Sequence, residues 1–208
     1  MKRDLTVLKA ILKADYQRHL KKFELLKPGK PIVFIGDSIV AYFPLKKYGL
    51  ENHIDNLGIP GDTSKGVYER LYQVYALKPK QVILHVGIND EVLLPYQVEN
   101  TVKQIQAIID DLKEHLPHAK IYIVSLTPIN LKDFPNSSYV LHRNAAFAMQ
   151  INQQLKQMQD VQYIDIYPSL SNFDHVLYQS YTTDGIHLND QGYATYWSIL
   201  QDIVNFSI

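Results

Sequence analysis

Short apolar runs alternate with helical patterns along almost the whole chain, and the first three runs each lead into a glycine followed by polar residues. The runs cover 31–35, 53–57, 81–86, 120–126 and 162–166. Between them, 64–76, 96–116 and 140–158 carry helical patterns; Val98, Val102, Ile105, Ile109 and Leu112 mark one helix face. A last helix is expected over about 190–205. Strands that alternate with helices return by crossovers, so they pair in parallel and are covered on both faces. The pattern therefore implies an α/β domain on a five-stranded parallel sheet. In open sheets of this kind, ligands bind beyond the carboxyl ends of the strands. Ser38, Gly61 and Asn89 all stand just past such an end.

Length and composition narrow the class. The 208 residues suffice for one domain with a full core, expected over 1–208 with its motif-bearing part at 31–205. Lys+Arg and Asp+Glu are both 21, so the net charge is zero, unlike the basic excess of a nucleic-acid binder. No cysteine is present, which removes thiol catalysis, Cys-ligated zinc and disulfides. Residues 1–27 read as an amphipathic helix with a basic polar face, ended by Pro28-Gly29. Such a helix can serve a membrane surface or a partner, including a second copy of the chain. A helix packed on its own domain is the commoner outcome and is the one expected here. Lysines interrupt the apolar stretches of 1–15, and no run approaches a membrane span, so a cytoplasmic location without stable membrane insertion is expected.

Four segments carry chemistry: Gly36-Asp37-Ser38, Gly58-Ile59-Pro60-Gly61-Asp62, Gly87-Ile88-Asn89-Asp90 and Asp184-Gly185-Ile186-His187. Ser38 sits at a tight strand exit, where a hydroxyl can be exposed, although Gly-Asp-Ser is also an ordinary turn composition. Asp184 precedes His187 by three residues, close enough for the carboxylate to fix the imidazole tautomer and leave the other nitrogen as a base. Asp184 in an Asx-turn beside a surface histidine is the plainer alternative. Gly61 lets backbone approach a substrate closely, and the Asn89 amide donates without bringing a charge. Both residues are equally suited to shaping their turns. The G-x-S-x-G elbow is absent, since position 40 is valine.

Taken in order, these segments resemble the SGNH (GDSL-type) hydrolases, in particular the bacterial lipase/acylhydrolase branch related to platelet-activating-factor acetylhydrolase. The likeness is carried by Phe34–Val40, Asn56–Thr63 and Thr182–Leu188, and it extends over roughly 31–205. Ile39 stands where the family string has leucine, and Leu188 where many members have proline. The resemblance implies a three-layer, flavodoxin-like α/β/α sandwich. It implies an esterase that works through an acyl-Ser38 intermediate on small-molecule esters, with a lean toward short acyl chains. In it Ser38 is the nucleophile, His187 the base and Asp184 its orienting carboxylate. The amides of Ser38 and Gly61 and the side chain of Asn89 form the oxyanion hole. No metal or organic cofactor is implied.

Two rival readings remain at this level. One is metal-assisted phosphoester hydrolysis using Asp37, Asp90 and Asp184, with His85 or His187 helping. In the structural reading, Asp37 and Asp90 instead hold their turns through loop amides, and their spread positions favour it. The other rival is a non-catalytic carbohydrate- or lipid-binding module on the same fold. Tyr42, Phe43, Phe134, Tyr139 and Tyr181 are placed on loops near the same sheet edge. They either wall a substrate pocket or simply pack their loops.

Overall fold

The computed structural model describes residues 5–94 and 96–206. Its five strands are β1 Ile32–Gly36, β2 Ile54–Gly58, β3 Gln81–His85, β4 Lys120–Val124 and β5 Gln162–Ile164. They form one sheet in the order β2-β1-β3-β4-β5, with every pair parallel. The helices are α1 Leu5–Phe23, α2 Ser38–Ala41, α3 Ser64–Glu69, α4 Tyr72–Leu77 and α5 Asp90–Leu93. They continue as α6 Val98–His115, α7 Ala145–Leu155, α8 Tyr167–Leu170 and α9 Asp190–Ile203.

All five residues of β1 and of β3 are buried, as expected for central strands covered on both faces. Alternate residues feed two cores. Val33, Ile35, Val82, Leu84, Ile121 and Ile123 meet the apolar faces of α3, α4, α6 and α7. Ile32, Phe34, Ile83, Tyr122 and Val124 meet Ile39 and Val40 of α2 and Tyr193, Tyr196 and Leu200 of α9. The result is a three-layer α/β/α sandwich. The chain leaves β1 for β2 at one edge, then returns to β3 on the other side of β1. The switch point therefore lies between β1 and β3, and Ser38 and Asn89 follow those two strands. Gly36, at the end of β1, is required by packing. A Cβ there would lie 1.9 Å from the His85 carbonyl oxygen at the end of β3.

Several elements differ from the sequence reading. The helix expected at 64–76 is broken into α3 and α4, because Arg70 turns inward at the junction. The helix expected at 140–158 begins only at Ala145. His142 adopts φ +76°, which no right-handed helix tolerates, and Asn144 caps the true start by accepting from Ala146 N at 2.9 Å. The first helix stops at Phe23, which turns into the core, short of Pro28-Gly29. Its expected start at 1–4 and the apolar side chains of Leu5, Leu8 and Leu12 lie outside the described residues. Its last turns pack on the domain. Tyr16 and Leu20 join the α3/α4 core, and the Tyr16 hydroxyl donates to the Gly66 carbonyl at 3.2 Å. No helix among the described residues is long and apolar enough to cross a membrane.

Candidate active site

The β1 exit is built around Asp37. Its Oδ1 accepts from Ile39 N at 2.9 Å and so caps α2, a helix that begins with Ser38. Ser38 is thereby held at the first position of that helix, at the carboxyl edge of the sheet and almost wholly buried. The second loop is tied to the first through a buried arginine. Arg70 donates from Nε to Asp62 Oδ2 at 2.8 Å and from a terminal nitrogen to the Gly36 carbonyl at 3.1 Å. Gly61 lies within the turn that Asp62 N closes on the Ile59 carbonyl at 3.1 Å. The third loop joins the second through Asn89, whose Nδ2 donates to the Asp62 carbonyl at 3.0 Å. Next to it, Asp90 accepts from Ser64 N at 2.8 Å and from the Ser64 hydroxyl.

The fourth loop uses one carboxylate for two tasks. Asp184 Oδ1 accepts from Ile186 N at 3.0 Å and His187 N at 2.8 Å, which folds the turn. Asp184 Oδ2 lies 2.6 Å from His187 Nδ1. The turn role and the orienting role, alternatives in the sequence, are both present, one on each oxygen. A carboxylate accepts only, so Nδ1 carries the proton and Nε2 presents its lone pair. That Nε2 is 3.1 Å from Ser38 Oγ. Burial opposes ionisation of Asp184. The hydrogen bonds from the His187 ring and the two backbone N–H groups outweigh it and bring the carboxyl down to about 2.

The structure thus brings together Ser38, Gly61, Asn89, Asp184 and His187. The remaining acids are engaged elsewhere. Asp37 caps α2, Asp90 holds Ser64, and among the described residues no group of three or more His, Cys, Asp or Glu is placed to hold a metal ion. His85 is fully buried against α9, with Nδ1 3.1 Å from the Tyr196 hydroxyl, and burial pushes it down to about 3. It is a neutral core side chain.

The aromatic expectations divide. Tyr42 and Tyr139 stand edge-on to the His187 ring, at centroid distances of 5.5 and 4.9 Å. Phe43 instead belongs to the core, packed on Phe34, Tyr193 and Tyr196. Tyr181 packs with Tyr178 beside the α9 core. Phe134 is partly buried and lines a groove of about 490 Å³ with Ser137, Tyr139, Thr183 and Asp184. A larger groove of about 930 Å³, between α7 and the 163–175 segment, touches none of the residues gathered around Ser38.

Arg143 was not marked by the sequence. It reaches back from the loop before α7 and donates to the Tyr139 carbonyl at 2.6 Å, to the Ile88 carbonyl, and to Asn89 Oδ1 at 2.8 Å. A single arginine inside a stretch that reads as helix has no motif signal of its own; the loop that frees it is visible only with the helix start at Ala145.

A serine, histidine and aspartate in hydrogen-bonded sequence, at the carboxyl edge of a parallel sheet, form the geometry of a Ser-His-Asp triad on an α/β/α sandwich. Residues 34–195 match the GDSL-like Lipase/Acylhydrolase family, and the chain belongs to it. Platelet-activating factor acetylhydrolase IB subunit alpha2 of Rattus norvegicus is 28% identical over 183 residues, covering 83% of this chain and 75% of the relative. A solved structure from Streptococcus pneumonia, described as a platelet activating factor, superposes with a TM-score of 0.82. It is 25% identical and covers 95% of this chain and 96% of its own. A Bacteroides fragilis structure assigned as an acylhydrolase gives a TM-score of 0.75 at 25% identity, over 89% and 93% of the two chains.

Proposed function

We propose that the protein is a serine esterase that cleaves short-chain acyl esters through an acyl-Ser38 intermediate. The observation that carries this reading is the continuous relay from Asp184 through His187 to Ser38. Ser38 Oγ attacks the ester carbonyl carbon while its proton passes to His187 Nε2. The carbonyl oxygen becomes an oxyanion. It accepts from the Asn89 amide and from the backbone N–H groups of Ser38 and Gly61. The Ser38 N–H is at a helix start, where backbone donors lack intrahelical partners. Collapse breaks the bond to the alkoxy group, which leaves as the alcohol with the proton from His187. Water then attacks the acyl-serine, with His187 again taking and returning the proton, and the carboxylic acid departs.

The short-chain preference is supported by the relatives named platelet-activating factor acetylhydrolase, and by Tyr42 and Tyr139 closing around His187. The test is intact-mass analysis after fluorophosphonate treatment, with peptide mapping, alongside hydrolysis of p-nitrophenyl esters of increasing chain length. One adduct on Ser38 and fastest turnover of the acetyl or butyryl ester are expected. Folded protein that gains no adduct and cleaves no ester overturns the reading.

A further inference from the structure

We propose that Arg143 is a positioning residue for ester hydrolysis, fixing the donor sense of the Asn89 amide and backing it with positive charge. The inference rests on the esterase reading above. Asn89 is buried, and its side-chain amide has two faces of opposite polarity to satisfy. Nδ2 places one hydrogen on the Asp62 carbonyl at 3.0 Å, and Oδ1 accepts from Arg143 at 2.8 Å. Turning the amide over would set Nδ2 against the guanidinium donors and Oδ1 against the Asp62 carbonyl. Both contacts would become repulsive. The flip is therefore closed to this residue, and the second Nδ2 hydrogen stays available to an oxyanion.

The guanidinium is itself held from three sides, by the Tyr139 and Ile88 carbonyls and by Asn89. Its hydrogen-bond acceptors are neutral oxygens, while the carboxyl groups of Asp37 and Glu91 act on it only through space. It stands directly behind the one neutral side-chain donor of the oxyanion hole and favours negative charge on the far side of that amide. The loop is clamped in return. Asn144 N donates to both Glu91 oxygens at 3.1 Å, and His142 is held at φ +76° immediately before Arg143. A left-handed histidine persists only where its surroundings over-determine it. The same loop delivers Tyr139 to the His187 ring, so Arg143 joins the oxyanion side of the site to the base side.

The test compares wild type, Arg143→Gln, Arg143→Lys, Asn89→Ala and the Asn89→Ala/Arg143→Gln double variant on p-nitrophenyl acetate. The Asn89 side-chain amide is followed by NMR in wild type and both Arg143 variants. Arg143→Gln should lower kcat by roughly tenfold or more with KM little changed, bounded by the ~10²–10³ of losing the donor outright. Lysine, a point donor, cannot span three acceptors but keeps the charge, so it should lose less than glutamine and still fall short of wild type. In the double variant the arginine change should cost much less than it does alone, since its larger part acts through that amide. The amide protons should exchange slowly in wild type and faster in both Arg143 variants. Full kcat in Arg143→Gln, or losses that multiply in the double variant, would overturn the proposal. So would an Asn89 amide signal that neither variant changes. If wild type cleaves no ester, the esterase reading fails by itself, and the amide signal still decides whether Arg143 positions Asn89.

Discussion

His187 Nε2 stands 3.1 Å from Ser38 Oγ, although 149 positions separate the two residues. Neither loop reaches the other by chance of surface packing. Ser38 is fixed by the Asp37 cap at the end of β1, and His187 by the turn that Asp184 folds beneath it. Each anchor is local in sequence, and the sheet sets their separation. A reaction geometry preset in this way avoids the entropy of assembling its groups in each turnover.

Replacing Asp184 with asparagine should lower kcat by about 10⁴-fold while leaving the fold intact. The amide oxygen can keep the backbone bonds that Oδ1 now accepts. Its nitrogen would then face His187 Nδ1 and force the proton onto Nε2, the wrong tautomer for a base. Steady-state kinetics with circular dichroism check this, and wild-type turnover in Asp184→Asn would refute the orienting role.

Arg70→Met should cost about 3–5 kcal/mol, because it strands a buried carboxylate. Arg70 and Asp62 are both almost completely buried, and burial pushes the Asp62 carboxyl up despite the arginine beside it. The pair is thus a link between the first two site loops, not a net source of stability. Urea unfolding should show a lower midpoint with an unchanged slope, and Asp62→Asn/Arg70→Met should recover part of the loss. A single-variant loss below about 1 kcal/mol would contradict the burial argument.

The sheet and the site core were legible in the sequence for the same reason. Central strands such as β1 and β3 are buried on both faces, so they write themselves as unbroken apolar runs, and their exits as glycine-polar turns. Ser38, Asn89, Asp184 and His187 sit on those exits or beside a helix start. What sequence could not show was long-range capture of side chains. Arg70 looks like one more polar residue in a helix, yet it breaks that helix to reach Gly36, 34 positions away. Arg143 reaches Asn89 across 54 positions. Phe43 falls on a loop and was grouped with site aromatics, but the α9 aromatics draw it into the core. Local propensity carries no information about such captures.

Gly185→Ala should damage both stability and rate. The residue sits at φ +90°, and an added Cβ would come within 2.7 Å of the Asn130 carbonyl oxygen. Strain of this kind costs about 1–3 kcal/mol, before the clash is counted. Relief requires the 184–187 turn to shift away from the loop that Asn130 anchors by donating to the Gly185 carbonyl at 2.8 Å. A displacement near 1 Å of His187 would lower kcat by about 10²-fold. A thermal midpoint and kcat both equal to wild type would show that the turn has more room than the geometry gives it.

Asp37→Asn should change how stability depends on pH. Burial pushes the Asp37 carboxyl up to about 7 from its ordinary 3.8, against the pull of the Ile39 N–H. The folded protein therefore holds that proton more tightly than the unfolded chain does. This contribution to stability is fully present below pH 3.8 and is lost as pH rises through about 7. Asparagine keeps an oxygen for Ile39 N and does not titrate. It places an amide nitrogen where Oδ2 now has no partner, a cost that does not vary with pH. Between about pH 4.5 and about pH 8.5, wild type should thus do best relative to Asp37→Asn at the acid end and lose at least about 1 kcal/mol of that advantage by the alkaline end. Urea unfolding of both proteins across that range measures the difference. Two stability curves that run parallel would mean that Asp37 keeps an ordinary carboxyl in the folded state.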